Sequence, residues 1–130
     1  MPLLEWTREY SVGSEKMDNE HKMLFSIIND LADHVQQGEG NVALPYAFTQ
    51  MKAYSIYHFA SEESMLDKLN YAELDIQKKE HAAFIERINL LEKDFEQMRM
   101  GTIDSVITFL KSWWTAHILR EDKKYAGFIK

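Results

Sequence analysis

Four long stretches of the chain repeat apolar residues at three- and four-residue intervals, the spacing that lines one face of an α-helix. The first, from about Asn19 to Gln37, carries Leu24, Ile28, Leu31 and Val35, with Asp18 placed to cap it and Gly38 just past its end. Gly38-Glu39-Gly40 reads as a short turn. A second helix, from about Val42 to Leu69, runs through Phe48, Met51, Met65 and Leu69, and Pro45 is acceptable if it lies in the first turn. Asn70-Tyr71-Ala72 is the next break. The third helix, from about Glu73 to Arg99, has the cleanest seam: Phe84, Ile88, Leu91, Phe95 and Met98. Gly101 ends it, and Thr102 caps a fourth helix running through Ile103, Val106, Leu110 and Trp113 to about Tyr125. Residues 1–17 read as an irregular arm whose Leu3, Leu4, Trp6 and Tyr10 lie over the bundle. No strand-like alternation or internal repeat competes. Amphipathic helices joined by short turns predict an all-α fold, an antiparallel up-down-up-down four-helix bundle over residues 18–126 within a single domain of residues 1–130.

Composition narrows the partners. With 15 Lys+Arg against 21 Asp+Glu the net charge is -6, which argues against nucleic acid and anionic membranes. The absence of Cys excludes disulfides, Cys-ligated zinc, Cys-bound iron–sulfur clusters and a thiol nucleophile. No apolar run approaches the ~20 residues of a membrane span, and the amino terminus lacks a signal pattern, so a cytoplasmic protein is expected.

The informative residues are polar ones that fall on the seams. The first seam extends back from Leu24 to His21. The second carries Ser55, His58 and Glu62 between its methionines. The third extends back from Phe84 to His81 and Gln77, and the fourth forward from Trp113 to His117. Four of the five histidines therefore occupy core positions; His34 falls off its seam and reads as solvated. One buried histidine is ordinary. Several unpaired buried polar groups, at roughly 1–3 kcal/mol each, would consume a stability of only ~5–15 kcal/mol.

Depth strengthens the case. In an up-down bundle the start of helix one lies beside the end of helix two, the start of helix three and the end of helix four. At ~1.5 Å rise per residue, His21, His58, Glu62, Gln77, His81 and His117 fall in one slab. The i, i+4 pair His58 and Glu62 can share a centre, and imidazole with carboxylate suits iron, zinc, manganese or copper. The HExxH signature of zinc proteases is absent, as are the paired Glu-x-x-His motifs of ferritin-like centres. Asp122 follows His117 by five residues, roughly 140° around an ideal helix. It is therefore either a solvated acid, or the helix distorts, or its side chain reaches back.

These residues resemble the hemerythrin family, specifically the short bacteriohemerythrins. The likeness covers most of the chain: Trp6; Asp18-Asn19-Glu20-His21-Lys22 with Leu24-Phe25; His58-Phe59 and Glu62; Gln77-Lys78-Lys79-Glu80-His81 with Phe84; Trp113 with His117-Ile118; and Asp122-Lys123-Lys124-Tyr125. The resemblance implies two iron ions with an oxo or hydroxo bridge inside the bundle. His21 and His58 would bind the iron that keeps an open position for dioxygen, His81 and His117 the other, and Glu62 and Asp122 would bridge both. Dioxygen would be bound by two-electron transfer as a hydroperoxide, beside an oxygen pocket formed by Leu24, Ser55, Trp113, Trp114 and Ile118.

Two departures stand out. Gln77 occupies the first position of a family His-x-x-x-His motif, so it is a weak or lost ligand: it binds through its amide oxygen, or water fills the position, or an acid such as Glu73 or Glu80 swings in, or it is an inert replacement. Trp114 stands where the family usually has a smaller aliphatic residue, and a large ring there would narrow the oxygen route. The leading expectation is a dioxygen-binding protein for storage, delivery or sensing rather than an enzyme. The alternatives are a di-iron peroxidase or oxidase exploiting the position at Gln77, and an oxygen- or redox-sensing module. Dioxygen or small anions are the expected ligands, with a redox partner and a monomeric or weakly oligomeric state.

Overall fold

In the computed structural model, which describes residues 2–129, α1 spans Glu15–Gln36, α2 Gly40–Lys68, α3 Leu74–Glu96 and α4 Thr102–His117. A π-helical stretch, Ile118–Asp122, joins α4 to the short α5, Lys123–Tyr125, and a 3-10 turn at Ala126–Phe128 follows. Around the bundle α1 packs on α2, α2 on α3, α3 on α4 and α4 back on α1, the four-helix bundle that the periodicity predicts. No helix among the described residues is long and apolar enough to cross a membrane.

Helix ends follow local chemistry that periodicity reads only coarsely. α1 starts at Glu15, not Asn19, because Ser14 is the cap: its Oγ accepts the Met17 N–H at 3.2 Å. The earlier start buries Met17 at 1% exposure. Asp18, the expected cap, lies inside the first turn and ties down the arm instead. Its carboxylate accepts the Ser11 hydroxyl at 2.6 Å and the Val12 N–H at 2.9 Å. The arm is less irregular than expected, with a 3-10 turn at Arg8–Tyr10. Leu4 exchanges two 2.8 Å hydrogen bonds with the Asn29 amide, and Trp6 and Tyr10 pack edge-on against Phe25.

Three helices stop in the same way, each with a left-handed residue and a six-to-one backbone bond. Gly38, Asn70 and Met98 have φ of 79°, 54° and 56°. Beyond them, the N–H groups of Glu39, Tyr71 and Arg99 donate to His34, Leu66 and Asp94. This corrects the third seam. α3 ends at Glu96 rather than Arg99, and Met98 is a solvent-facing terminator, 89% exposed, not a core residue. Leu66 likewise replaces Leu69 on the α2 face, because Leu69 lies at the helix end and is exposed. Pro45 falls in the second turn of α2, since that helix starts at Gly40; the Asn41 carbonyl it deprives of a donor belongs to a solvent-exposed residue. Gly101, not Thr102, sits at the cap of α4, and the Thr102 hydroxyl instead donates to the Arg99 carbonyl at 2.7 Å.

Two apolar clusters result. The larger includes Leu24, Ile28, Phe48, Met51, Phe84, Ile88 and Leu110, and the smaller joins Val12, Met17, Leu66, Tyr71 and Tyr125. The step from one cluster to the other crosses a polar residue each time: His21 on α1, Glu62 on α2, His81 on α3, and Asp122 between Ile118 and Tyr125 at the end of the chain. The polar layer is thus closed on both sides by packed hydrocarbon.

A long apolar side chain at φ 56° is strained by roughly 1–2 kcal/mol, and glycine removes that strain. Met98→Gly is expected to stabilise the protein by about 1 kcal/mol, raising the thermal midpoint by a few degrees in calorimetry. An unchanged or lower midpoint would contradict the assignment of Met98 as a strained terminator.

Candidate metal centre

One histidine reaches the polar layer from each of the four long helices, and all four are buried to 2% exposure or less. The rings pair across helices, His21 with His58 at 4.6 Å between centroids and His81 with His117 at 5.1 Å. Glu62 and Asp122, both fully buried, lie between the pairs and present one oxygen to each. Glu62 Oε2 is 3.6 Å from His21 Nε2 and 3.5 Å from His58 Nε2, while its Oε1 is 3.0 Å from His81 Nε2. Asp122 Oδ2 is 3.2 Å from His21 Nε2 and its Oδ1 3.1 Å from His117 Nε2.

Asp122 is there because the helix changes pitch. The bonding pattern of a π-helix spans five residues per turn-closing step, so the stretch Ile118–Asp122 returns Asp122 to the face of His117. Of the three possibilities left by spacing, the distorted helix is the one realised.

Three of the histidines are oriented by acids on the preceding helix. His58 Nδ1 pairs with Glu20 at 2.6 Å, His81 Nδ1 with Glu63 at 2.8 Å, and His117 Nδ1 with Glu80 at 2.8 Å. A carboxylate accepts, so each Nδ1 carries the proton, and in a neutral ring Nε2 is then a bare lone pair. Those lone pairs face the oxygens of Glu62 and Asp122. None of the four Nε2 atoms makes a hydrogen bond of proper geometry, nor do Glu62 Oε1 and Asp122 Oδ2. Electron-pair donors crowded at such distances need a cation between them. The donor set fits two: His21, His58 and Glu62 bring ligand atoms within 4.8 Å of one another, and so do Glu62, His81 and His117.

Without metal, protons take that role. Burial opposes charge on His21, but the carboxylates of Asp122 and Glu62 outweigh it and push the ring up to about 10. His117, under the same opposition, is pushed up to about 9 by Asp122 and Glu62. Burial would raise Glu62, yet His58, His21 and His81 hold it well below the usual carboxylate range. Asp122 is also lowered, since His117 and His21 overcome both burial and the charge on Glu62.

The Hemerythrin HHE cation binding domain family matches residues 12–129. The chain belongs to the hemerythrin family. A bacteriohemerythrin from Clostridium acetobutylicum is 31% identical over 126 residues, covering 92% of this chain and 96% of that protein. A bacteriohemerythrin from Pseudomonas aeruginosa is 29% identical, covering 100% and 84%. Among solved structures, wild-type hemerythrin aligns with a TM-score of 0.87 at 26% identity over 98% of each chain. A leucine-to-alanine hemerythrin mutant aligns with a TM-score of 0.88 at 27% identity, covering 99% of this chain and 98% of that one. Family and fold support a non-haem, metal-binding hemerythrin.

All six residues expected as ligands meet in the polar layer of this hemerythrin. Gln77 joins them, 1% exposed, with its amide nitrogen 2.9 Å from Asp122 Oδ1. Neither Glu73 nor Glu80 swings into that position: Glu73 accepts the Tyr71 hydroxyl and Glu80 serves His117. Of the expected oxygen pocket, Leu24, Ser55, Trp114 and Ile118 are all fully buried. Trp114 stands 5.9 Å from His58 and 6.5 Å from His21, stacked on Phe59, with its indole N–H unpaired. Trp113 is only partly buried and stacks on His117 at 4.4 Å, against the other imidazole pair. A groove lined by Val35, Phe48, Phe95 and Met100 lies at the far end of the bundle and touches none of these residues.

Sequence reasoning missed Glu20, Glu63 and Tyr125 as site residues, and considered Glu80 only as a substitute ligand. A signal existed: each acid is the immediate neighbour of a ligand candidate, His21, Glu62 or His81. One residue of offset turns it toward the next helix. Tyr125 donates its hydroxyl to Glu62 Oε2 at 2.7 Å, and burial with the nearby carboxylates raises its pKa far above the ordinary phenol value.

Outer carboxylates hold the ligand ring and raise its basicity, and their loss typically costs about 10–100-fold in metal affinity. Glu20→Gln is therefore expected to weaken metal retention by about that factor with helicity unchanged. Chelator-competition rates and circular dichroism measure the two, and unaltered retention would remove Glu20 from the centre.

Proposed function

We propose that this chain is a non-haem di-iron protein that binds dioxygen reversibly, for storage, delivery or sensing. One observation carries the reading. Of the nine buried side-chain atoms without a hydrogen-bond partner among the described residues, seven belong to His21, His58, Glu62, His81, His117 and Asp122, and the other two to Gln77 and Trp114. Folded chains leave few such atoms, so their concentration in one layer marks a place built for a bound group.

In this reading His21 and His58 would hold one iron and His81 and His117 the other, with Glu62 and Asp122 offering an oxygen toward each. The pair of irons, when bound, would supply reversible two-electron redox chemistry toward dioxygen. The protein supplies restraint. Glu20, Glu63 and Glu80 keep three rings in one tautomer, and Tyr125 fixes the rotamer of Glu62 by its hydrogen bond. Leu24, Trp114 and Ile118 exclude water and stray protons from the His21–His58 side, where dioxygen or a small anion would sit.

Anaerobic loading should give two irons per chain. Aerobic protein should then show a ligand-to-iron charge-transfer band that bleaches under vacuum and returns with air. Absence of iron uptake would overturn the proposal, and rapid irreversible oxidation with peroxide turnover would assign redox catalysis instead.

Trp114 fills space where a smaller residue would leave a path. Trp114→Leu is expected to accelerate both dioxygen binding and autoxidation several-fold in stopped-flow measurements. Unchanged rates would show that the ring does not gate access.

A further inference from the structure

Only one of the two polar atoms of Gln77 is engaged. Its amide nitrogen donates to Asp122 Oδ1 at 2.9 Å, while Oε1 is buried and has no partner. Flipping the amide would set oxygen against carboxylate oxygen, so Asp122 dictates the orientation. Within the planar amide, Oε1 lies about 2.3 Å from Nε2. It therefore shares the water-free layer with Asp122 Oδ1, itself 3.1 Å from His117 Nε2. His81 follows Gln77 by four residues on the same face of α3. The nitrogen that His81 turns inward faces Glu62 Oε1 at 3.0 Å, so its partner is that carboxylate and not the amide oxygen of Gln77.

We propose that Gln77 is a metal ligand as well as a positioning residue: its carbonyl oxygen completes the shell of the cation held by His81 and His117, and its amide nitrogen fixes Asp122 for that same cation. The inference rests on the di-iron reading above. A neutral amide oxygen is a weaker donor than imidazole or carboxylate, so water or a small anion can displace it. The two cations then differ in character, and the one on the His81–His117 side is the more readily lost.

The test compares wild type with Gln77→Leu, Gln77→Glu and Gln77→His, each loaded anaerobically with ferrous iron. Iron per chain, the rate of iron loss to a ferrous chelator and Mössbauer spectra are recorded, with circular dichroism of the metal-free chains as the folding control. Gln77→Leu should release one of two irons about 10–100-fold faster and leave the other unchanged. Gln77→His should slow that same phase. Gln77→Glu, which keeps an oxygen donor but loses the N–H, should retain both irons and shift the Mössbauer signal of only one. Wild-type loss rates and spectra in a folded Gln77→Leu would overturn the inference. If that variant does not fold, spectra of Gln77→His identical to wild type at both irons would overturn it equally. A wild-type chain binding no iron would instead sink the di-iron reading itself.

Discussion

Lone pairs that face one another where water cannot enter must share a positive charge. That constraint governs the middle of this bundle. Four imidazole nitrogens and the oxygens of two carboxylates converge between packed hydrocarbon layers, at separations of 3.0–3.6 Å. Protons can meet the demand in a bare chain, as the elevated His21 and His117 show. Metal ions meet it better, because each carboxylate already divides its two oxygens between the two pairs of rings. The apolar clusters above and below are what make the demand strict, since solvent would otherwise relieve it.

Much of this was legible in the sequence because depth and face are linear functions of residue number along a helix. His21, His58, Glu62, His81 and His117 could be placed on the core side and at one level by counting. Asp122 could not, because a single change of helical pitch breaks the count. The outer acids were hidden for another reason. Glu20, Glu63 and Glu80 sit on flanks of their helices where charged residues are unremarkable, and their roles exist only once a neighbouring helix supplies a ring. Helix ends were misjudged where an earlier residue, Ser14, turned out to be the cap in place of the expected Asp18, or where a residue such as Met98 adopted a backbone state its type seldom chooses.

The centre is not symmetric. Beside one pair of rings the wall is a fully buried indole, Trp114; beside the other it is the stacked Trp113 and the amide of Gln77. His21 stands apart as well, since it alone of the four has no acid on Nδ1. Glu121, which by sequence position would be the fourth such acid, is engaged instead by Lys124 at 3.4 Å. A common fold thus presents two chemically distinct neighbourhoods within one layer.

The acids that grip the rings also run in one rotational sense: α1 serves α2, α2 serves α3, α3 serves α4, and the circuit stays open between α4 and α1. An up-down bundle can be wound clockwise or anticlockwise from the same four rods, and their greasy stripes alone scarcely discriminate the two. In the opposite winding each acid would face away from its imidazole. The outer carboxylates therefore act as a chirality check on assembly, rewarding one circuit of the helices and leaving its mirror-like competitor with charges that find no mate.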